Sequence, residues 1–149
     1  MSHIPQFAKY AAAFEEAFRS DDWSAIAPFF SEDARYDAQL PSPLGGSFVG
    51  RPAILSYFKL VLDAFDRRFA SREVSLIAGP REDGDAVWIR GGARYTAPGV
   101  PDLYFELEET ATFAGERIRL LEDRYDAETI ARMQAYLREH GAKLGTAAP

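Results

Sequence analysis

The stretch Tyr95-Thr-Ala-Pro-Gly-Val-Pro-Asp-Leu-Tyr-Phe-Glu-Leu-Glu-Glu-Thr-Ala-Thr-Phe-Ala-Gly-Glu-Arg-Ile-Arg-Leu-Leu-Glu-Asp-Arg-Tyr125 decides the fold. Between Leu103 and Phe113 the odd positions are Leu103, Phe105, Leu107, Glu109, Ala111 and Phe113, and the even ones are Tyr104, Glu106, Glu108, Thr110 and Thr112. A period of two marks a half-buried strand. Glu109 is the exception, a carboxyl in the apolar set. After the Gly115-Glu116 turn a second strand carries Leu121, Asp123 and Tyr125 on one face. Ile118 and Leu120 share the opposite parity from Leu121, so both sets can be buried only if a bulge falls between them. A buried, unpaired carboxylate costs several kcal/mol, so Glu109 and Asp123 are expected to be paired, neutral or facing a cavity.

Upstream, the same period predicts strands at 73–78 and 86–96, separated by an Asp83-Gly84 turn, with a bulge or bend at Gly91-Gly92. A brief strand follows the turn at 31–37. Before the strands the spacing is helical. Phe7, Tyr10, Ala11, Phe14, Ala17 and Phe18 predict a first helix, Trp23 to Phe30 a short second one, and Gly50-Arg51-Pro52 the start of a third. The third carries Ile54, Phe58, Val61, Leu62, Phe65 and Phe69 as its stripe. Asp126 caps a last helix with Ile130, Met133 and Leu137 inward. Residues 40–50, rich in Pro and Gly, read as a loop long enough to border an opening. Helices followed by a strand meander predict an α+β domain, with N-terminal helices on a strongly curved antiparallel sheet and a C-terminal helix behind it. One domain over 1–149 is expected, with flexible ends at about 1–6 and 142–149.

Composition narrows the function. A net charge of -6 argues against a nucleic-acid groove, which needs clustered Lys and Arg. With no cysteine there is no thiolate chemistry and no Cys-ligated metal. His3 and His140 sit at opposite ends of the chain, too far apart in sequence to suggest a metal site or a triad. No cofactor is expected, and no phosphate loop or dinucleotide fingerprint occurs. Neither a leader nor a run of membrane length is visible, so a cytoplasmic protein with no membrane partner is expected. The eleven Phe and seven Tyr fit a core or an aromatic pocket.

Asp22-Trp23-Ser24, Phe29-Phe30-Ser31-Glu32-Asp33-Ala34-Arg35-Tyr36, Gly50-Arg51-Pro52-Ala53-Ile54 and the closing Gly115-Glu-Arg-Ile118 with Glu122-Asp123-Arg124-Tyr125-Asp126 resemble the nuclear transport factor 2-like superfamily, in its SnoaL-like branch. The resemblance implies a cone-shaped, cystatin-like fold with a deep pocket at its open end and a homodimer across the sheet. In related ketosteroid isomerases a tyrosine of the first helix matches Phe14, the base aspartate matches Ala38, and the protonated aspartic acid matches Glu109. In related limonene epoxide hydrolases the water-positioning tyrosine matches Tyr36, one catalytic aspartate matches Asp123 and the bridging arginine matches Arg90. The second aspartate falls at Gly92 and the asparagine near Ala38. Neither set is complete. The acid/base carboxylate of SnoaL-like cyclases matches Asp123, so proton transfer on an apolar cyclic molecule is the activity the resemblance implies best. A non-catalytic binding or dimerisation module on the same fold is the alternative.

The candidate catalytic residues are therefore Asp123, Tyr36 and Glu109. Candidate pocket residues are Phe14, Phe18, Trp23, Leu40, Tyr57, Phe58, Val61, Arg90, Phe105, Leu107, Leu121 and Tyr125. Each has a plainer reading. Asp123 can pair with Arg94 or Arg119, and Glu109 with Arg90 or Arg94 across the sheet. Tyr36 and Tyr125 can be core tyrosines, while Trp23, Tyr57, Phe58 and Trp88 can be packing. Trp88, Arg94 and Tyr104 can instead lie on the outer sheet face and meet a second subunit.

Overall fold

The computed structural model describes residues 2–145. Helix α1 (Ile4–Ser20) is followed by two single-turn 3-10 segments, Trp23–Ala25 and Ala27–Phe29, then β1 (Phe30–Ala38), β2 (Gly46–Val49) and α2 (Arg51–Ala64). The strands β3 (Ser71–Asp83), β4 (Ala86–Thr96), β5 (Leu103–Ala114) and β6 (Arg117–Arg124) lead to α3 (Ala127–His140). All six strands form one curved sheet in the order β2-β1-β6-β5-β4-β3. The helices pack on its inner face, which makes the domain α+β.

Several expectations change in detail. The sheet is mixed, because β1 runs parallel to β6 while the other four pairings are antiparallel. Those two strands are joined through most of the chain rather than by a turn, so nothing forces them antiparallel. The helix expected from Trp23 to Phe30 is two 3-10 turns, since Pro28 interrupts the ladder. Within the 40–50 loop, Gly46–Val49 pairs with β1 as a short edge strand. Residues 4–6 of the stretch expected to be flexible form the first turn of α1, and at the other end Leu144 is buried. The rest of that end, 146–149, lies outside the described residues.

The bend expected at Gly91-Gly92 falls on the facing strand: the β3–β4 register slips between Leu76 and Ala78 and again between Ala78 and Arg81. Gly79 sits in this slip at φ +91°, where a Cβ would stand 2.7 Å from the Trp88 carbonyl oxygen, so glycine is required. In β6 the bulge demanded by parity is present. Thr112 faces Leu120 and Phe113 faces Ile118, so Arg119 is the extra residue. Ile118 and Leu121 are thereby both buried, and Asp123 joins their face. In α3 the buried stripe is Thr129, Met133 and Tyr136 rather than the expected Ile130–Met133–Leu137 set.

The core has two parts. Phe7, Tyr10, Ile26, Phe30, Ile54, Phe58 and Ile118 fill the narrow end, while Phe65, Phe69, Tyr95, Phe105, Met133 and Tyr136 ring the wide end. Small residues on the inner face, Gly91 and Ala93 of β4 among them, leave space between the two that no side chain fills. That space is the site.

Candidate functional site

A cavity of about 520 Å³ lies between α1, α2 and the inner face of the sheet. Asp123, Tyr36 and Glu109 all line it. Their placement follows from register: Asp123 stands opposite Glu109 on β5 and beside Ala38 on β1, one alternation along from Tyr36. The Tyr36 hydroxyl donates a short hydrogen bond to Asp123 Oδ2. Both residues are nearly enclosed, at 5% and 7% exposure, whereas Glu109 is half-buried because its side chain opens to the cavity.

No arginine reaches this group among the described residues. Arg90 and Arg94, the partners foreseen for Glu109, pair with Glu106, Glu108 and Asp102 on the outer face. Asp123 Oδ1 is buried with no hydroxyl, amide or cation donating to it. The group that can supply a hydrogen is the carboxyl of Glu109. Burial, then the Asp123 charge, pushes Glu109 well above the ordinary carboxylate range. Asp123 is also raised by burial, an effect opposed by the hydrogen bonds from Glu109 and Tyr36. Two facing carboxyls that cannot both ionise share one proton.

Tyrosines surround the pair. Burial and then the Asp123 charge raise Tyr36 and Tyr125, and burial followed by Glu109 raises Tyr10. Tyr10 and Tyr125 line the cavity with hydroxyls that meet no partner among the described residues, and so are free to bond a ligand. Tyr10 lies one helical turn before Phe14, the position matched above to the isomerase tyrosine, and Phe14 packs edge-on against Trp23 and Phe58. The Tyr57 hydroxyl donates to the Leu44 carbonyl, which ties the 40–50 loop to α2; Leu40 and Leu44 line the cavity as that loop's contribution.

A second polar group was not foreseen. Arg72 of β3 binds Glu15 of α1 at 2.7 Å and approaches Asp66 at 3.2 Å, and the Tyr95 hydroxyl donates to Asp66 at 2.8 Å. All four line the cavity. Burial raises Asp66, with the Arg72 charge opposing. The third helix ends at Ala64 instead of running on to Phe69, so Asp66 lies in a 3-10 turn where helical spacing was expected, and Arg72 lies before the expected strand start; periodicity could not bring them together.

Of the expected pocket residues, Phe14, Leu40, Tyr57, Phe58, Val61, Phe105, Leu107, Leu121 and Tyr125 line the cavity. Three do not. Trp23 packs behind the wall on Phe14 and Phe58 with its indole N–H on Asp21. Phe18 is covered by the Arg72 guanidinium at 4.6 Å. Arg90 points outward, since Ile89 and Gly91 take the inner positions on either side of it. Among the described residues no three or more of His, Asp and Glu group to hold a metal ion. No helix there is long and apolar enough to cross a membrane.

Helices seated in a curved mixed sheet around a lined cavity define the nuclear transport factor 2-like class. Within it, the chain belongs to the SnoaL-like domain family, whose model matches residues 11–135. No curated protein matches it in sequence. Among solved structures it is similar to an NTF2-like protein of unknown function from Burkholderia pseudomallei, 20% identical with a TM-score of 0.67 over 91% of this chain and 98% of that one. It is also similar to a ketosteroid isomerase-like hypothetical protein from Catenulispora acidiphila in complex with trimethylamine (18% identity, TM-score 0.62, 85% and 92% covered). A putative polyketide cyclase from Sinorhizobium meliloti is 22% identical, with a TM-score of 0.56 and 78% and 94% covered. At these identities the likeness is one of fold.

Proposed function

We propose that the protein is an acid–base enzyme acting on a small apolar molecule, with Asp123 as general base and Glu109 as general acid. The observation that carries this reading is the facing pair of carboxyls, Glu109 and Asp123, open to a cavity and free of any arginine among the described residues. A carboxylate held only for stability would be paired with a cation, as Asp66 is with Arg72. A pair whose members titrate apart supplies an acid and a base at one point of the wall. Asp123 takes a proton from a carbon of the ligand, Tyr36 fixes its orientation, and the Glu109 carboxyl donates a hydrogen bond or a proton to the oxygen where charge collects. Tyr10 and Tyr125 supply further donors. Return of the proton at another carbon gives isomerisation; attack of the carbanion on a carbonyl carbon of the same ligand, whose oxygen takes the Glu109 proton, forms the new carbon–carbon bond of a cyclisation, and the similar putative polyketide cyclase from Sinorhizobium meliloti is in keeping with that class.

The test uses 2-tetralone in D2O, with exchange of its α-protons followed by NMR. Wild-type protein is expected to accelerate exchange and Asp123→Asn to abolish the acceleration. The same variant should be neutral or stabilising at pH 7, because it removes a buried charge that has no cation. A clamped aspartate would instead lose about 3–5 kcal/mol on this change. Wild type exchanging no faster than buffer, or a strongly destabilised variant, would favour the binding-module reading.

A further inference from the structure

The charges that line the cavity do not balance. Four acids, Glu15, Asp66, Glu109 and Asp123, face one base, Arg72. That base is already committed, to Glu15 at 2.7 Å and to Asp66 at 3.2 Å, with its guanidinium laid on Phe18. Among the described residues no cation that lines the cavity lacks a carboxylate partner. The other two acids form the pair, and Asp123 Oδ1 is buried with nothing but the shared proton to meet it. Around that point the walls are aromatic: Tyr36 stands 5.3 Å from Tyr57 and 5.3 Å from Phe58, and Phe105 lies 6.0 Å from Tyr125. Aromatic faces beside a buried carboxylate attract cations on both counts.

We infer that the ligand carries a protonated or quaternary amine on an apolar body, with the nitrogen seated against Glu109 and Asp123 among Tyr36, Tyr57 and Tyr125. This rests on the reading of the cavity as the ligand site and deepens it.

Benzyltrimethylammonium, its uncharged carbon isostere neopentylbenzene, and phenylacetate form the test, with binding followed by intrinsic fluorescence and thermal shift at pH 7. The ammonium is expected to bind about tenfold tighter than the isostere, a difference of about 1.4 kcal/mol, and phenylacetate more weakly than either. In Glu109→Gln/Asp123→Asn the preference should vanish while the isostere binds as before; should the double variant not fold, Asp123→Asn alone is compared. Equal or weaker binding of the ammonium in wild type overturns the inference and leaves the cavity as a ligand site. A preference that survives in the variants overturns it equally. Failure of all three compounds to bind, together with no tetralone exchange, removes the ligand-site reading as well.

Discussion

Replacing Glu109 by Gln tests the shared proton directly. Gln keeps the shape, and its amide N–H can donate to Asp123 as the neutral carboxyl does, but it cannot ionise. In the wild type the folded state retains a proton on Glu109, raised by burial and by Asp123, that the unfolded chain releases near pH 4.3. The folded protein therefore binds more protons than the unfolded one above that pH, and stability falls as pH rises. The fall continues until pH passes the raised folded pKa and then stops. One proton corresponds to at most about 1.4 kcal/mol per pH unit, or roughly 3–6 °C of Tm per unit for a chain of this size. Wild type and Glu109→Gln should thus melt together near pH 4. The variant should gain on wild type steadily from there until the gap levels off. Calorimetric melting of both proteins at half-unit steps from pH 4 to 9 measures this. A gap that is constant with pH, or that widens in favour of wild type, refutes the shared proton.

Arg72→Met should destabilise by about 3–5 kcal/mol in urea unfolding, because it strands Asp66 and Glu15 without their cation. Loss of less than about 1 kcal/mol would make the ion group incidental. Tyr57→Phe removes the hydroxyl that holds Leu44 and should cost about 1 kcal/mol of stability, while ligand dissociation, measured by stopped flow, should speed up. Unchanged dissociation would make the 40–50 loop a scaffold rather than a rim. The outer sheet face carries Trp88 under Arg81 and Tyr104 under Arg94, and we propose that it pairs with a second copy across a two-fold axis. Light scattering should then give twice the 16.6 kDa chain mass at micromolar concentration, and a monomer there would end that proposal.

Where periodicity speaks, the sequence was legible. The odd set of β5 is the inner face, with Glu109 in it, and the parity conflict of Ile118 and Leu121 forecast the bulge that aims Asp123 inward. The meeting of Tyr36 with Asp123 was not deducible from pattern, because it depends on a parallel pairing between strands 87 residues apart in their hydrogen-bonded side chains. The resemblance matches both to catalytic positions of the hydrolases without stating the contact. The match of Arg90 to the bridging arginine of the hydrolases fails, because strand alternation around Ile89 and Gly91 sets it outward. Asp66, Arg72 and Tyr95 lay beyond reach because a 3-10 turn and two strands bring them together, and no single period spans those elements.

The two acidic groups in the cavity show why the unpaired one is the functional candidate. Asp123 is buried and the Asp66 side chain is only 10% exposed, and burial raises both. Around Asp66 the fold supplies an arginine, a tyrosine and a turn, so that α1, α2 and β3 are tied together at one point. Around Asp123 it supplies a tyrosine and a second carboxyl, which adds repulsion instead of removing it. Nothing in the packing demands Glu109: its register neighbours Leu107 and Ala111 show that an apolar side chain fits this face. Valine or leucine there would relieve the repulsion and fill space. A carboxyl kept against that local gradient, beside empty volume, is what a site for moving a proton needs and what a packed core does not.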